Sequence, residues 1–93
     1  MNDDPAEAHD WYKTGCELTN SGKLSEAVRM FTRIIDSRHH HAEAYFRRGV
    51  CHYLRGEFRK AEADMNAATL LGCVDAQIWS RYDIQPGHSP EHH

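Results

Sequence analysis

A pattern that recurs every 34 residues constrains the fold of this chain more than any other feature of the sequence. The recurring positions hold alanine (Ala8, Ala42, Ala76), an aromatic residue (Trp11, Tyr45, Trp79) or a small residue (Gly15 and Gly49, Gly22 and Gly56, Ala27 and Ala61). A fixed period of this length is typical of proteins that stack copies of one small structural unit. The sequence therefore predicts a solenoid of repeated units.

Within each copy, apolar residues recur every three or four positions, which indicates amphipathic α-helices. Gly22 and Gly56 fall between two such helices, where glycine readily ends a helix, and the short link predicts an antiparallel hairpin. We expect helices at about 5–20, 25–37, 42–54, 58–71 and 76–84, with Asp4 capping the first and Asp75 the last. The fold class expected is all-α, with about five helices.

The amino-acid composition indicates the size of the domain, the cellular compartment and the class of partner. The chain has 93 residues, of which 40% are hydrophobic and 27% charged, as in one small globular domain. Its acidic start lacks the basic and apolar regions of a secretory signal, and three cysteines without a CxxC pair favour reduced thiols. These features predict a cytoplasmic protein. The formal net charge of −3 argues against nucleic acid or an anionic membrane as partner.

Two segments of the sequence carry a family resemblance. The first copy reads Trp11-x2-Thr14-Gly15-x2-Leu18 followed by Ala27-x3-Phe31, and the second reads Tyr45-x2-Arg48-Gly49-x2-His52 followed by Ala61-x3-Met65. This pattern resembles the tetratricopeptide repeat (TPR), a helical hairpin of this length. The resemblance implies a right-handed superhelix over residues 1–87, with repeats at about 8–41 and 42–75 and a capping helix at about 76–84. The polar stretch at 88–93 is expected to be a disordered tail. The chain departs from the pattern at Thr14 and Arg48, where leucine is usual.

The resemblance also implies a function, because TPR proteins generally bind peptides or other proteins on the concave face of the first helix of each hairpin. Carried onto this chain, the expected groove contains Tyr12, Lys13, Cys16, Asn20, Phe46, Arg47, Val50, Tyr53 and Arg81. Lys13, Arg47 and Arg81 share one repeat position and would form a row of cations suited to an acidic or carboxylate-bearing ligand. An adaptor or scaffold role follows from this interpretation.

Other kinds of site receive little support from the sequence. It contains no Gly-rich phosphate loop, no HExxH pair and no Ser-His-Asp order, so we expect no enzymatic activity and no cofactor. Cys51 and His52 are adjacent on a helix, and their side chains would diverge by about 100°. His39, His40 and His41 also point in different directions, which favours a polar turn over a metal site.

The number of repeats suggests an alternative function. Two repeats are fewer than the three or so that usually stabilise a solenoid, and Ile78, Trp79 and Tyr82 form an apolar cluster with one covering neighbour. Exposed apolar surface of this kind often marks a contact with another protein. Self-association into a homodimer, or assembly into a larger complex, is therefore the second hypothesis.

Overall fold

A computed structural model describes residues 5–81, except for the side chains at 5–7 and 79–81. Within this range the chain is all-α and has five helices, as the sequence predicts: α1 (Pro5–Asn20), α2 (Leu24–Ser37), α3 (Ala42–Leu54), α4 (Phe58–Leu70) and α5 (Val74–Arg81). The predicted bounds of α1 and α3 agree with the structure, while α2 begins one residue earlier and α4 ends one residue earlier. The predicted Asp4 cap, the end of the last helix and the tail at 88–93 lie outside the described residues.

The helices form two hairpins, α1 with α2 and α3 with α4. The hairpins meet because α2 packs against α3, and α5 packs against α4. One core lies between α1, α2 and α3, and a second between α3, α4 and α5; Tyr45 contacts both. The buried apolar residues of the first are Ala27, Phe31, Ile34, Ile35, Ala44 and Cys51, and those of the second are Phe46, Met65, Ala68, Cys73 and Ala76.

Two glycines determine how closely the helices of each hairpin approach. A Cβ atom at Gly15 would lie 2.7 Å from the ring of Phe31, and one at Gly49 would lie 3.0 Å from Cε of Met65. A methyl group at either position would therefore force the paired helices or the facing side chain to move. The absence of a side chain at Gly15 and Gly49 thus permits the close packing of the helices in each hairpin.

The start of α5 corrects the predicted cap at Asp75. Gly72, with φ of 94°, ends α4 through a tight turn in which the amide of Cys73 donates to the carbonyl of Ala68 at 2.9 Å. The helix resumes directly at Val74, so Asp75 lies in the first turn of α5 and not before it. The earlier connection has Arg38 at the position of Gly72, and that residue ends α2 in an extended conformation (φ −135°, ψ 90°).

A polar network lies inside the second hairpin. The guanidinium of Arg48 donates two hydrogen bonds of 2.8 Å to the carboxylate of Asp64, and a third of 3.1 Å to Oγ1 of Thr32. Nδ1 of His52 lies 2.7 Å from the carboxylate of Glu57, and its Nε2 lies 3.7 Å from that of Asp64. Arg48, which departs from the repeat pattern, thus bridges both hairpins and has a buried partner.

Candidate protein-interaction surface

Three contacts join the first helices of the two hairpins. Nε of Arg47 donates to the hydroxyl of Tyr12 at 3.0 Å, and that hydroxyl donates to a carboxylate oxygen of Glu43 at 3.4 Å. Further along the helices, Oγ1 of Thr19 lies 3.3 Å from Sγ of Cys51. Because these contacts recur along both helices, α1 and α3 lie side by side, and their outward residues share one surface.

Glu43 connects this surface to the turn before α5. Its Oε1 accepts from Tyr12, and its Oε2 accepts from the thiol of Cys73 at 3.4 Å. Burial raises the pKa of Tyr12, against the opposing hydrogen bond from Arg47. Burial likewise raises the pKa of Cys73. Both groups are therefore protonated at neutral pH and can donate to the carboxylate.

Arg47 keeps its charge within this chain of hydrogen bonds. Burial opposes the charge, but the hydrogen bond with Tyr12, with smaller electrostatic contributions from Tyr12, Cys16 and Glu43, holds the pKa of Arg47 above its usual value. The guanidinium carbon also lies 5.7 Å from the centre of the Phe46 ring. Arg47 therefore has partners within the protein, and only part of its hydrogen-bonding capacity is left for a ligand.

The predicted groove residues occupy different environments. Lys13 and Asn20 are exposed, whereas Tyr12, Cys16, Arg47, Val50 and Tyr53 are half-buried. Phe46 is only 6% exposed and packs in the second core with Met65 and Ala76. Arg81 is the last residue of α5, and its side chain lies outside the described part of the chain. The groove and its row of cations stay a prediction.

The sequence predicts that the histidine run is a polar connection, and the structure gives two of its members particular partners. Nδ1 of His39 lies 2.9 Å from the carbonyl oxygen of Ile35, at the end of α2. His41 precedes α3, and its Nδ1 accepts from the amide of Ala44 at 3.1 Å. His41 and Arg38 both line the surface beside Tyr12. The run of histidines is visible in the sequence, but the partner of each ring depends on the backbone conformation of the connection, which the sequence does not predict.

Among residues 5–81, excluding the side chains that the structure leaves undescribed, no three His, Cys, Asp or Glu side chains are grouped closely enough to hold a metal ion. Cys51 is buried, and burial raises the pKa of its thiol. Such a thiol is a poor nucleophile, because the reactive form is the thiolate. Over the same residues, no helix is both long and apolar enough to cross a membrane.

Comparison with known proteins gives one partial match. The chain is 35% identical to neutrophil cytosol factor 2 of Bos taurus over 57 residues, which is 61% of this chain. It spans only about a tenth of the length of that relative, because the match covers 11% of it. No family model matches the chain. No solved structure matches it either.

Proposed function

We propose that this chain is a non-enzymatic, cytoplasmic protein-interaction module of the tetratricopeptide type, which binds a peptide or protein segment on the surface shared by α1 and α3. The observation that carries the proposal is the lateral pairing of these two helices through Tyr12, Arg47 and Glu43. A surface built from the first helices of successive hairpins is the one that the repeat resemblance implies for ligand binding.

The packing of the hairpins supports the repeat assignment and, with it, a right-handed superhelix. Gly15 faces Phe31 inside the first hairpin, and Gly49 faces Met65 inside the second, so the two hairpins contain equivalent contacts 34 residues apart. A shared geometry at shared positions is what a repeat requires. The partial likeness to a cytosol factor favours the cytoplasmic assignment.

A ligand on this surface would be short. Two hairpins and one further helix can contact an extended segment of only a few residues, each spanning about 3.3–3.6 Å. Lys13 is exposed and Arg47 is half-buried, whereas the carboxylate of Glu43 already accepts from Tyr12 and Cys73, and on this basis the proposed segment is acidic. We do not expect nucleic acid or membrane as a partner, because the net charge is −3.

The proposal is tested by capture of partners from a cell lysate with matched variants. Lys13→Glu combined with Asn20→Arg changes two exposed residues on α1. Arg29→Glu combined with Asn66→Arg introduces the same side chains at exposed positions of α2 and α4. Circular dichroism would first establish that both variants fold.

We expect the α1 variant to lose partners that the wild type and the control variant retain. Equal capture by all three proteins would contradict binding on the α1–α3 surface. Loss in the control variant alone would assign binding to the second helices of the hairpins.

A second candidate function, assembly through the C-terminal end, is favoured by exposed aliphatic residues. Leu70 is 86% exposed, Val74 63% and Ile78 41%. Apolar groups at this end lie where a further hairpin would stack in a longer array. Sedimentation over a range of concentrations should show a dimer that Ile78→Glu disrupts, and a wild-type monomer at the highest concentration would exclude the homodimer.

A further inference from the structure

Arg47 is held at two points on the surface shared by α1 and α3. Its Nε donates to the hydroxyl of Tyr12 at 3.0 Å, and its guanidinium carbon lies 5.7 Å from the centre of the Phe46 ring. A hydrogen bond to Nε, together with an aromatic ring beside the guanidinium, limits the rotation of the side chain. Arg47 therefore has a defined orientation before any ligand binds.

The outer part of the same guanidinium has no such contact. Nη1 and Nη2 of Arg47, each of which carries two N–H groups, form no hydrogen bond or ion pair with the residues that the structure describes. Among those residues, Oγ1 of Thr69 is the one buried side-chain nitrogen or oxygen without a partner. Since Nη1 and Nη2 also lack a partner, they are not buried, and solvent reaches them. Arg47 thus presents its outer N–H groups at the surface.

The carboxylate of Glu43 orients the hydroxyl that Arg47 contacts. Tyr12 donates to Oε1 of Glu43 at 3.4 Å, and Oε2 of Glu43 accepts from the thiol of Cys73, also at 3.4 Å. Burial raises the pKa of Tyr12, so its hydroxyl remains a donor at neutral pH. Both carboxylate oxygens therefore contact neutral donors, and Glu43 reaches the guanidinium through Tyr12.

The repeat pattern does not require the hydroxyl of Tyr12. The equivalent position of the second copy is Phe46, whereas the position of Arg47 holds a cation in every copy, as Lys13 and Arg81 show. Phe46 is 6% exposed and packs in the second core, so a plain aromatic ring is sufficient for packing at this position. The hydroxyl is an addition that occurs only in the first copy, where it contacts Arg47.

We propose that Arg47 binds an acidic side chain of the partner segment end-on, through Nη1 and Nη2, and that Tyr12 is the positioning residue that fixes the guanidinium for this contact. With Nε occupied, the two outer nitrogens remain as a pair of donors that matches the two oxygens of a carboxylate. Because Arg47 is already ordered, the ligand does not have to order it. This inference rests on the proposed function and makes the cations of the row unequal, since Lys13 is exposed and contributes charge alone.

The test compares the wild type with Tyr12→Phe, Arg47→Gln and the double variant. Tyr12→Phe removes the hydroxyl and keeps the ring, which lies beside Phe31 and His41. Tyr45→Phe is the matched control, because Tyr45 is a half-buried tyrosine of α3 whose hydroxyl forms no hydrogen bond with the described residues. Urea unfolding would first establish that all the variants fold.

Binding is measured by nuclear magnetic resonance of the nitrogen-15-labelled full chain. The probe is N-acetyl-Ala-Ala-Glu-Ala-Ala-amide, which carries a single carboxylate, and the control peptide has glutamine in place of the glutamate. Titration to millimolar concentration detects weak binding at individual signals. We expect the glutamate probe to shift the side-chain Nε–H signal of Arg47, and the glutamine probe to leave it unchanged.

The two single variants should weaken binding of the glutamate probe for different reasons. Arg47→Gln should weaken it about tenfold, because hydrogen bonds to a charged group are lost. Tyr12→Phe should weaken it about two- to tenfold, because the ligand must then order the arginine side chain itself. Tyr45→Phe should bind the probe as the wild type does. Unchanged binding in either Arg47→Gln or Tyr12→Phe would overturn the proposal.

The double variant distinguishes positioning from a general structural role. If Tyr12 acts through Arg47, Tyr12→Phe has no further effect on binding once residue 47 is glutamine. An equal weakening with arginine or glutamine at that position would show that Tyr12 acts independently, and it would overturn the positioning role.

Two further results would overturn the proposal: equal binding of the glutamate and glutamine peptides, or no binding of the glutamate probe to the wild type. Each of these results is distinct from failure of the proposed function. The partner-capture experiment depends on Lys13 and Asn20, and it can succeed even if Arg47 binds no carboxylate.

Discussion

The two hairpins have the same backbone plan but different interiors. Positions related by 34 residues hold Thr14, Leu18, Lys23 and Met30 in the first hairpin, and Arg48, His52, Glu57 and Asp64 in the second. In the first hairpin Thr14 and Lys23 are exposed, and the core around Phe31 is apolar, whereas the second hairpin contains the network of Arg48 and Asp64. The close contacts at Gly15 and Gly49 are conserved between them.

The spacing of small residues therefore determines the hairpin, while the chemical character of the neighbouring side chains can vary. A buried charged network is tolerated only when its groups are all paired. Here Asp64, whose side chain is 8% exposed, receives both hydrogen bonds from Arg48, and Arg48 also reaches Thr32 in the first hairpin. The second hairpin therefore depends on its partners as a set.

The largest expected effect comes from breaking this set at one residue. Asp64→Met introduces the residue of the first hairpin but leaves the guanidinium of Arg48 without its acceptor. We expect a loss of about 2–4 kcal/mol in the free energy of unfolding, because removal of one partner of a buried pair leaves the other charge uncompensated. Urea unfolding followed by circular dichroism measures this loss.

A triple variant tests whether the network residues of the second hairpin can be replaced as a set. The triple variant Arg48→Thr, His52→Leu, Asp64→Met gives the second hairpin the residues that the first has at these positions. It removes both charges of the buried pair together and leaves neither uncompensated, so we expect the triple variant to recover most of the loss. A triple variant less stable than Asp64→Met alone would show that the two interiors are not interchangeable.

The glycine contacts predict a second, smaller contrast. Gly15→Ala would place a methyl group 2.7 Å from two ring atoms of Phe31, a fully buried and rigid side chain. Gly49→Ala would meet Cε of Met65 at 3.0 Å, the end of a flexible side chain, although Cβ of Asp64 lies at 3.2 Å. We expect Gly15→Ala to cost about 1–3 kcal/mol and Gly49→Ala about 1 kcal/mol less.

Alanine is otherwise the better helix former by about 1 kcal/mol, and both variants share that gain. Their difference in urea midpoint therefore reports the contact and not the helix propensity. Equal losses would mean that the helices separate by the same amount in both hairpins, in which case the flexibility of Met65 contributes nothing.

The sequence predicts much of the fold because the period links distant positions directly. Gly15, Gly49, Phe31 and Met65 all occupy positions of the repeat pattern, and the structure places each glycine against the large side chain of its own hairpin. The network could not be predicted in this way. Arg48 and Asp64 are 16 residues apart on different helices, and a single departure from a repeat pattern does not identify its partner.

The candidate site was predictable only at the level of helices. Tyr12 and Arg47 lie on the first helices of their hairpins, so their proximity follows from the repeat. Arg38 and His41 enter the same surface through the connection, whose course depends on how α2 ends. The predicted start of α5 was wrong for a related reason. The turn at Gly72 is so short that α5 begins at Val74, and Asp75 therefore lies inside the helix and not at the capping position before it.

A third prediction concerns Thr69, which occupies the position of Ile35 in the first hairpin. Within the described residues its Oγ1 is buried and has no hydrogen-bond partner. Thr69→Val removes the unpaired hydroxyl and should stabilise the chain by up to about 1 kcal/mol. Thr32→Val is the control, because Thr32 accepts from Arg48, and its loss should destabilise the chain. If both variants were more stable than the wild type, the hydrogen bond from Arg48 to Thr32 would not contribute to stability.

A last and small effect concerns pH: Glu57 should make the stability of the folded chain decrease in acid. The hydrogen bond from His52 is the main cause that lowers the pKa of Glu57 from its usual 4.5. A carboxyl whose pKa is depressed by folding stabilises the native state above its unfolded pKa, and the contribution disappears as the pH falls through the folded value. We therefore expect Glu57→Gln to be less stable than the wild type at pH 7, and this difference to shrink steadily below about pH 4.5.

Glu62→Gln makes the same change at an exposed position of α4 that lacks such a partner in the described structure, so its difference in stability from the wild type should stay small at every pH. Urea unfolding between pH 3 and pH 7 checks this, and a Glu57→Gln gap that does not change with pH would show that the bond to His52 does not depend on the charge of the carboxylate.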